Sequence, residues 1–106
     1  MMRRIAFGFG LLAVSATAAV AGGVTVFQDG RKFSEAEITI KQGDSVTFTN
    51  KDPYTHNVFS KTPGMAFDLR TQHPGESTSI QFNNAGEADV QCAIHPQMKM
   101  KVKVVP

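Results

Sequence analysis

Apolar and polar residues alternate in short segments over most of the chain, and turn-forming pairs such as Gly43-Asp44 and Pro74-Gly75 separate these segments. Successive side chains of a strand point to opposite faces, so this alternation predicts strands that each bury one face. Turns at such intervals are typical of a β-sandwich or a barrel. The pattern therefore predicts one small all-β domain. Its expected strands are 24–27, 37–40, 45–50, 77–82, 88–92 and 100–105.

The last expected strand shows which of its residues should be buried. Met100, Val102 and Val104 fall on one face, and three lysines fall on the other. We expect the apolar face to pack in the core and the lysines to be solvated. A domain of this size also needs large apolar side chains to fill its interior. Five phenylalanines should supply much of that volume: Phe33, Phe48, Phe59, Phe67 and Phe82.

The first 21 residues have the three parts of a secretory signal peptide. Arg3 and Arg4 precede an apolar run over residues 5–18, and Ala19-Val20-Ala21 matches a cleavage site of the A-x-A type. A membrane anchor is the alternative, but the run is interrupted by polar residues and leads directly into the cleavage site. We therefore expect residues 1–21 to be removed on export. The mature domain would then comprise residues 22–106, without a membrane anchor.

The charge balance of the chain argues against nucleic acid as a partner. Its 106 residues include 11 Lys and Arg against 9 Asp and Glu, and Arg3 and Arg4 account for the difference. The remaining basic residues form no continuous block of the kind that binds nucleic acid. Export normally leads to an oxidising compartment, yet Cys92 is the only cysteine. Cys92 is therefore a buried thiol, a reactive thiol, an intermolecular bridge or a metal ligand.

The chemically distinctive residues lie in the segment 92–98. Cys92, His95 and Met98 follow one another at three-residue intervals, and a second imidazole, His56, lies upstream. A thiolate and two imidazoles in a trigonal arrangement, with a weak axial thioether, are the donors of a blue-copper site. Each residue could instead have an ordinary structural role. Cys92 and His95 could also be a nucleophile and its base, but two residues on a tight loop do not by themselves supply an oxyanion site or an orienting third group.

Several motifs in the same order resemble the plastocyanin and amicyanin group of cupredoxins. They run from the segment 43–50 through Asp52-Pro53-Tyr54, His56-Asn57-Val58 and Pro74-Gly75-Glu76 to the Cys92 loop. The short Cys-x2-His-x2-Met loop is more similar to amicyanins than to plastocyanins. The resemblance implies a Greek-key β-sandwich that holds one type 1 copper.

In that family pattern the equatorial copper ligands correspond to His56, Cys92 and His95, and the axial ligand to Met98. Met100 is the alternative axial ligand, because it would give the longer loop of plastocyanins. The resemblance also implies that Asn57 ties the His56 loop to the Cys92 loop.

The resemblance implies a function as a soluble, monomeric carrier of single electrons in the periplasm, and not as an enzyme. It permits redox partners such as a quinoprotein amine dehydrogenase and a c-type cytochrome. We expect docking at an apolar patch around Pro53, Ile94 and Pro96. The alternative function is a periplasmic copper-delivery or copper-storage protein, which would exchange its copper with a partner.

Overall fold

The computed structural model describes residues 22–106, so the predicted signal peptide, residues 1–21, lies outside the described residues. The described part consists of strands joined by turns and loops, and none of its segments is a helix that could cross a membrane. The strands are β1 (Gly23–Gln28), β2 (Glu37–Lys41), β3 (Ser45–Asn50), β4 (Val58–Ser60), β5 (Phe67–Asp68), β6 (Ser77–Gln81), β7 (Gly86–Cys92) and β8 (Lys99–Val105).

The strands form two sheets, which confirms the predicted all-β sandwich. One sheet has the order β2-β8-β7-β4-β5, and the other has the order β1-β3-β6. The pairs β1–β3 and β2–β8 are parallel, and the remaining pairs are antiparallel. The chain changes sheet after β1, β2, β3, β5 and β6, as a Greek-key sandwich requires. All six expected strands are present, with ends that differ by at most two residues.

Strands β4 and β5 were not predicted, and the first of them is important for the site. With three and two residues, they are too short to show an alternating pattern. The longer strand β7 supplies the hydrogen-bonding partners of β4, in a register that places Val58 opposite Cys92, and β5 pairs in turn with β4. This pairing brings the residues just before β4 to the carboxyl end of β7.

The core lies between the sheets and follows the predicted alternation. In β8, Met100, Val102 and Val104 are buried, whereas the three lysines are exposed. Phe48 is fully buried, and its ring centroid lies 5.9 Å from that of Phe67. The five phenylalanines are all buried or half-buried, as expected.

Candidate metal centre

Three chain segments bring the predicted donors to one end of the sandwich. His56 lies between β3 and β4, Cys92 is the last residue of β7, and His95 and Met98 lie in the loop from β7 to β8. The pairing of Val58 with Cys92 sets the distance between the first two segments. The loop itself is closed by two backbone hydrogen bonds, from Met98 N to His95 O and from Cys92 N to Met98 O.

The donor atoms of His56, Cys92 and His95 form a compact triangle. The Nδ1 atoms of the two histidines are 3.1 Å apart, and the Cys92 Sγ lies 3.6 Å from His56 Nδ1 and 4.0 Å from His95 Nδ1. Two imidazole nitrogens this close repel each other unless a proton or a cation lies between them. The triangle therefore favours occupation by a cation.

The size of the triangle fits a trigonal transition-metal ion. Bonds of about 2.0 Å to nitrogen and about 2.3 Å to sulfur, opened to ~120°, give edges of about 3.5 Å and about 3.7 Å. The observed edges of 3.1, 3.6 and 4.0 Å scatter around those values. A set of one thiolate and two imidazoles suits copper, because soft sulfur stabilises Cu(I) and imidazole also accepts Cu(II).

Burial separates the three donors into an inner pair and an outer one. His56 and Cys92 are buried, at 0% and 2% exposure, whereas His95 is half-buried. A buried thiol is shielded from a second protein, which argues against an intermolecular disulfide at Cys92. Of the possible roles of this cysteine, that of a buried metal ligand fits its surroundings best.

Asp52 sets which nitrogen of His56 carries the proton. The His56 Nε2 lies 2.7 Å from Asp52 Oδ2, and both side chains are buried. A carboxylate only accepts hydrogen bonds, so Nε2 must be the donor, and a neutral ring then leaves Nδ1 unprotonated. That unprotonated nitrogen is the one that faces Cys92 and His95. Asp52 therefore holds His56 in the form that can bind a metal.

The carboxylate of Asp52 is itself held by the chain. Its oxygens accept hydrogen bonds from the backbone N–H groups of Gly30 (2.6 Å) and Arg31 (3.1 Å). Burial raises the pKa of Asp52, but the hydrogen bonds from His56, Arg31 and Gly30 outweigh it and hold the pKa below its ordinary value of 3.8. Asp52 thus stays ionised at neutral pH.

Asn57 ties the two ligand segments together, as expected from the sequence, and does so through its backbone. Its N–H donates to the Cys92 Sγ at 3.4 Å, and its carbonyl accepts from Ala93 N at 2.9 Å. Its side chain points elsewhere and donates to Asp68. The N–H group at Cys92 stabilises a thiolate, because a hydrogen bond to the charged form favours that form.

The two methionines occupy different surroundings. Met100 belongs to the hydrophobic core between the sheets, where it is 3% exposed. Met98 is 1% exposed but lies outside that core cluster, in the loop that carries Cys92 and His95. The Met98 thioether is buried away from the main core, and the Met98 backbone is hydrogen-bonded to the backbones of the metal donors Cys92 and His95. Such a thioether is suited to a role at the metal site. This placement supports Met98 over Met100 as the axial donor.

Tyr54 covers the two histidines. Its ring centroid lies 5.6 Å from that of His56 and 5.7 Å from that of His95. The Arg31 guanidinium lies 4.8 Å from the Tyr54 centroid, on the ring face.

The sequence patterns gave no role at the site to Arg31, and they included Tyr54 and Asp52 only as parts of a motif. A carboxylate four residues before a candidate ligand histidine was the available signal for Asp52.

The environment of His95 makes the metal-free protein sensitive to acid. Burial lowers the pKa of His95 below 6.5, and the nearby His56 ring and Arg31 add to the lowering. The unfolded chain therefore binds a proton at His95 at a higher pH than the folded protein does. We expect the stability of the metal-free protein to fall as the pH drops from 6.5 towards the lowered pKa.

Urea unfolding of the metal-free protein at a series of pH values measures this loss. His95→Gln is the control, because its unfolding free energy should lack the His95 part of the pH dependence. Equal pH dependence of the wild type and His95→Gln below pH 6.5 would contradict the assignment.

A buried cysteine and two histidines at one end of a two-sheet sandwich define the class of blue-copper proteins, the cupredoxins. The comparison with known families agrees. The family described as copper binding proteins, plastocyanin/azurin family, matches residues 20–105, and the chain belongs to that family. This result confirms the family, the fold and the copper cofactor that were predicted from the sequence.

Relatives are found both by sequence and by structure. The chain is 37% identical to amicyanin-alpha of Methylorubrum extorquens, over 97% of this chain and 99% of that protein. The crystal structure of amicyanin from Paracoccus versutus has a TM-score of 0.71 and 34% identity, over 79% of this chain and 82% of that one.

An enzyme is also among the structural relatives. A copper-containing nitrite reductase from Thermus scotoductus has a TM-score of 0.73 and 28% identity over 78% of this chain, which spans only 22% of the enzyme chain. The similarity thus concerns one part of that enzyme.

Proposed function

We propose that the protein carries single electrons through one type 1 copper bound by His56, Cys92 and His95, with Met98 as the axial ligand. The observation that carries this proposal is the triangle of two imidazole nitrogens and one sulfur, with edges of 3.1 to 4.0 Å. Bound copper would supply the Cu(I)/Cu(II) couple. The protein residues then have to hold the donors in one geometry that suits both oxidation states.

The contacts around the donors suit that task. The Asp52 carboxylate holds His56, the Asn57 backbone joins Cys92 to the His56 segment, and the loop is closed by its own hydrogen bonds. Donors fixed in this way move little when the charge of the site changes, so electron transfer costs little reorganisation. A carrier needs no bound substrate, and the proposal includes no catalytic step.

His95 is the proposed point at which electrons enter and leave. It is the donor with partial exposure, and it lies between Ile94 and Pro96 in the chain. Ile94 is 49% exposed, which is unusual for a large apolar side chain, and Pro53 and Pro96 are exposed as well. Exposed apolar residues around a metal-binding histidine suit brief contacts with redox proteins. The predicted patch around Pro53, Ile94 and Pro96 remains the proposed docking surface.

Membership of the family supports a proposal for the partners and the location. Similarity to amicyanins supports a quinoprotein amine dehydrogenase as electron donor and a c-type cytochrome as acceptor. The signal-like residues 1–21 support export to the periplasm, with residues 22–106 as the mature domain. We propose that this domain acts as a monomer.

Addition of Cu(II) to the purified protein tests the function. We expect one copper per chain, an intense visible band and a type 1 electron paramagnetic resonance spectrum. Repeated reduction and reoxidation should leave the copper bound. A copper-delivery or copper-storage protein would instead release the metal to a competing chelator on reduction, and that result would replace the electron-carrier proposal.

A matched pair of substitutions tests the axial ligand. Met98→Leu should keep copper bound but change the reduction potential and the visible spectrum, because a long axial bond tunes the site more than it holds the metal. Met100→Leu should leave both unchanged and cost less than about 1.5 kcal/mol of stability, as volume-conserving core substitutions do. Voltammetry and urea unfolding of both variants measure these effects. A shift of the potential in Met100→Leu alone would reverse the axial assignment.

A further inference from the structure

Two glutamines are buried side by side next to the metal centre. Gln28, the last residue of β1, is 0% exposed, and Gln72, in the connection from β5 to β6, is 1% exposed. The Gln28 Nε2 donates to the Gln72 Oε1 at 2.6 Å. Glutamine side chains are rarely buried so completely, because burial removes their hydrogen bonds to water.

The orientation of this amide pair is determined by the backbone. The Gln72 Nε2 donates to the carbonyl oxygen of Phe48 at 2.9 Å, so the Gln72 Oε1 must point towards Gln28. Gln28 must then present its NH2 group, and its own Oε1 is left without a hydrogen-bond partner. A buried acceptor without a partner destabilises a fold. An apolar side chain at position 28 would remove this oxygen but would leave the Gln72 Oε1 without its donor, so only replacement of the whole pair would avoid the cost.

The pair is connected directly to His56. Gln72 and His56 exchange two backbone hydrogen bonds, from His56 N to Gln72 O (3.1 Å) and from Gln72 N to His56 O (2.8 Å). The Gln72 carbonyl also accepts from the Asn50 side chain at 3.1 Å. Gln72 lies outside the strands, so its side-chain bonds to Gln28 and to the Phe48 carbonyl attach it to β1 and β3.

We propose that Gln28 and Gln72 are positioning residues that hold the backbone of His56 against the three-stranded sheet. The Asp52 carboxylate sets the ring of His56, and the amide pair sets the backbone from which that ring projects. An unpaired Gln28 Oε1 is then a cost in stability that accompanies the positioning. The effect on copper rests on the proposed function, whereas the effect on the His56 backbone does not.

The test compares two substitutions on the same buried face of β1. Gln28→Met keeps a long, unbranched side chain and removes the unpaired Gln28 oxygen, but it also removes the donor to the Gln72 Oε1 and leaves that oxygen unpaired instead. Val26→Ala, two residues earlier and equally buried, removes core packing without touching Gln72. Gln72→Met removes the same amide pair from the other side. Each protein is studied without metal by amide hydrogen exchange and urea unfolding, and with copper by electron self-exchange.

In Gln28→Met we expect the His56 and Gln72 amides to exchange at least about tenfold faster, and copper self-exchange to slow at least about threefold. Its stability should change little, because one unpaired buried oxygen, the Gln72 Oε1, replaces another, the Gln28 Oε1. The Phe82 amide, which donates to Asp44 at the opposite end of the sandwich, should not change. Val26→Ala should lose stability with no selective change at His56. Gln72→Met should show the same local changes as Gln28→Met.

Wild-type exchange of the His56 amide in both glutamine variants would overturn the proposal. So would faster exchange that only follows a general loss of stability, as in Val26→Ala. If the wild type binds copper without a blue band, the proposed function fails, and the metal-free exchange data still decide the role of the amide pair.

Discussion

Cys92→Ser is expected to abolish the visible band of the copper-loaded protein completely. That band requires charge transfer from a thiolate to copper, and a serine hydroxyl is neither soft nor deprotonated at neutral pH. The variant should still fold, because the serine side chain is smaller than that of cysteine and its oxygen can accept the hydrogen bond from Asn57 N. Visible spectra and copper analysis measure the loss, and circular dichroism confirms the fold.

Met100→Leu is a suitable control for this variant, because Met100 is a buried sulfur-containing residue of the core. It should keep the full band. If Cys92→Ser also keeps the band at wild-type intensity, Cys92 is not the ligand and the copper assignment fails.

The second large effect is expected for Asp52→Asn. An amide has one oxygen and one NH2 group, whereas the carboxylate accepts from His56 Nε2 on one side and from Gly30 N on the other. If the NH2 group of the asparagine faces Gly30 N, two hydrogen-bond donors oppose each other. If it faces His56 Nε2, two donors again oppose each other unless the proton of the ring moves to Nδ1. We expect a loss of about 1–3 kcal/mol in stability. Copper affinity should fall about 10- to 100-fold, as for other residues that orient a ligand histidine.

Asp68→Asn is the matched control for Asp52→Asn. Asp68 is also near the site and accepts from Asn57 Nδ2 and Arg70 N, but it is exposed and does not touch a ligand ring. Its substitution should change stability by less than about 0.5 kcal/mol. Competition titrations with a copper chelator and urea unfolding provide both measurements. Equal effects of the two substitutions would show that Asp52 has no special role at His56.

The residues differ in how far sequence patterns could predict their roles. The alternation in β8 and the three-residue spacing of Cys92, His95 and Met98 are local, so they appear directly in the sequence. The amide pair that supports the His56 backbone is not local in the same sense. Gln72 lies 44 residues from Gln28, and only the pairing of distant strands brings them together. Strand β4 was missed for the same reason, because a strand of three residues depends on the neighbouring β7.

The distribution of the donors along the chain also affects how copper and folding are coupled. Three of the four proposed donors lie within seven consecutive residues, from Cys92 to Met98, whereas His56 joins them only through the pairing of β4 with β7. The unfolded chain therefore already carries an incomplete set of soft ligands that can bind copper. A metal that binds both states stabilises the folded state by less than its affinity for that state would suggest. Copper should accordingly raise the unfolding temperature by less than its affinity for the folded protein implies.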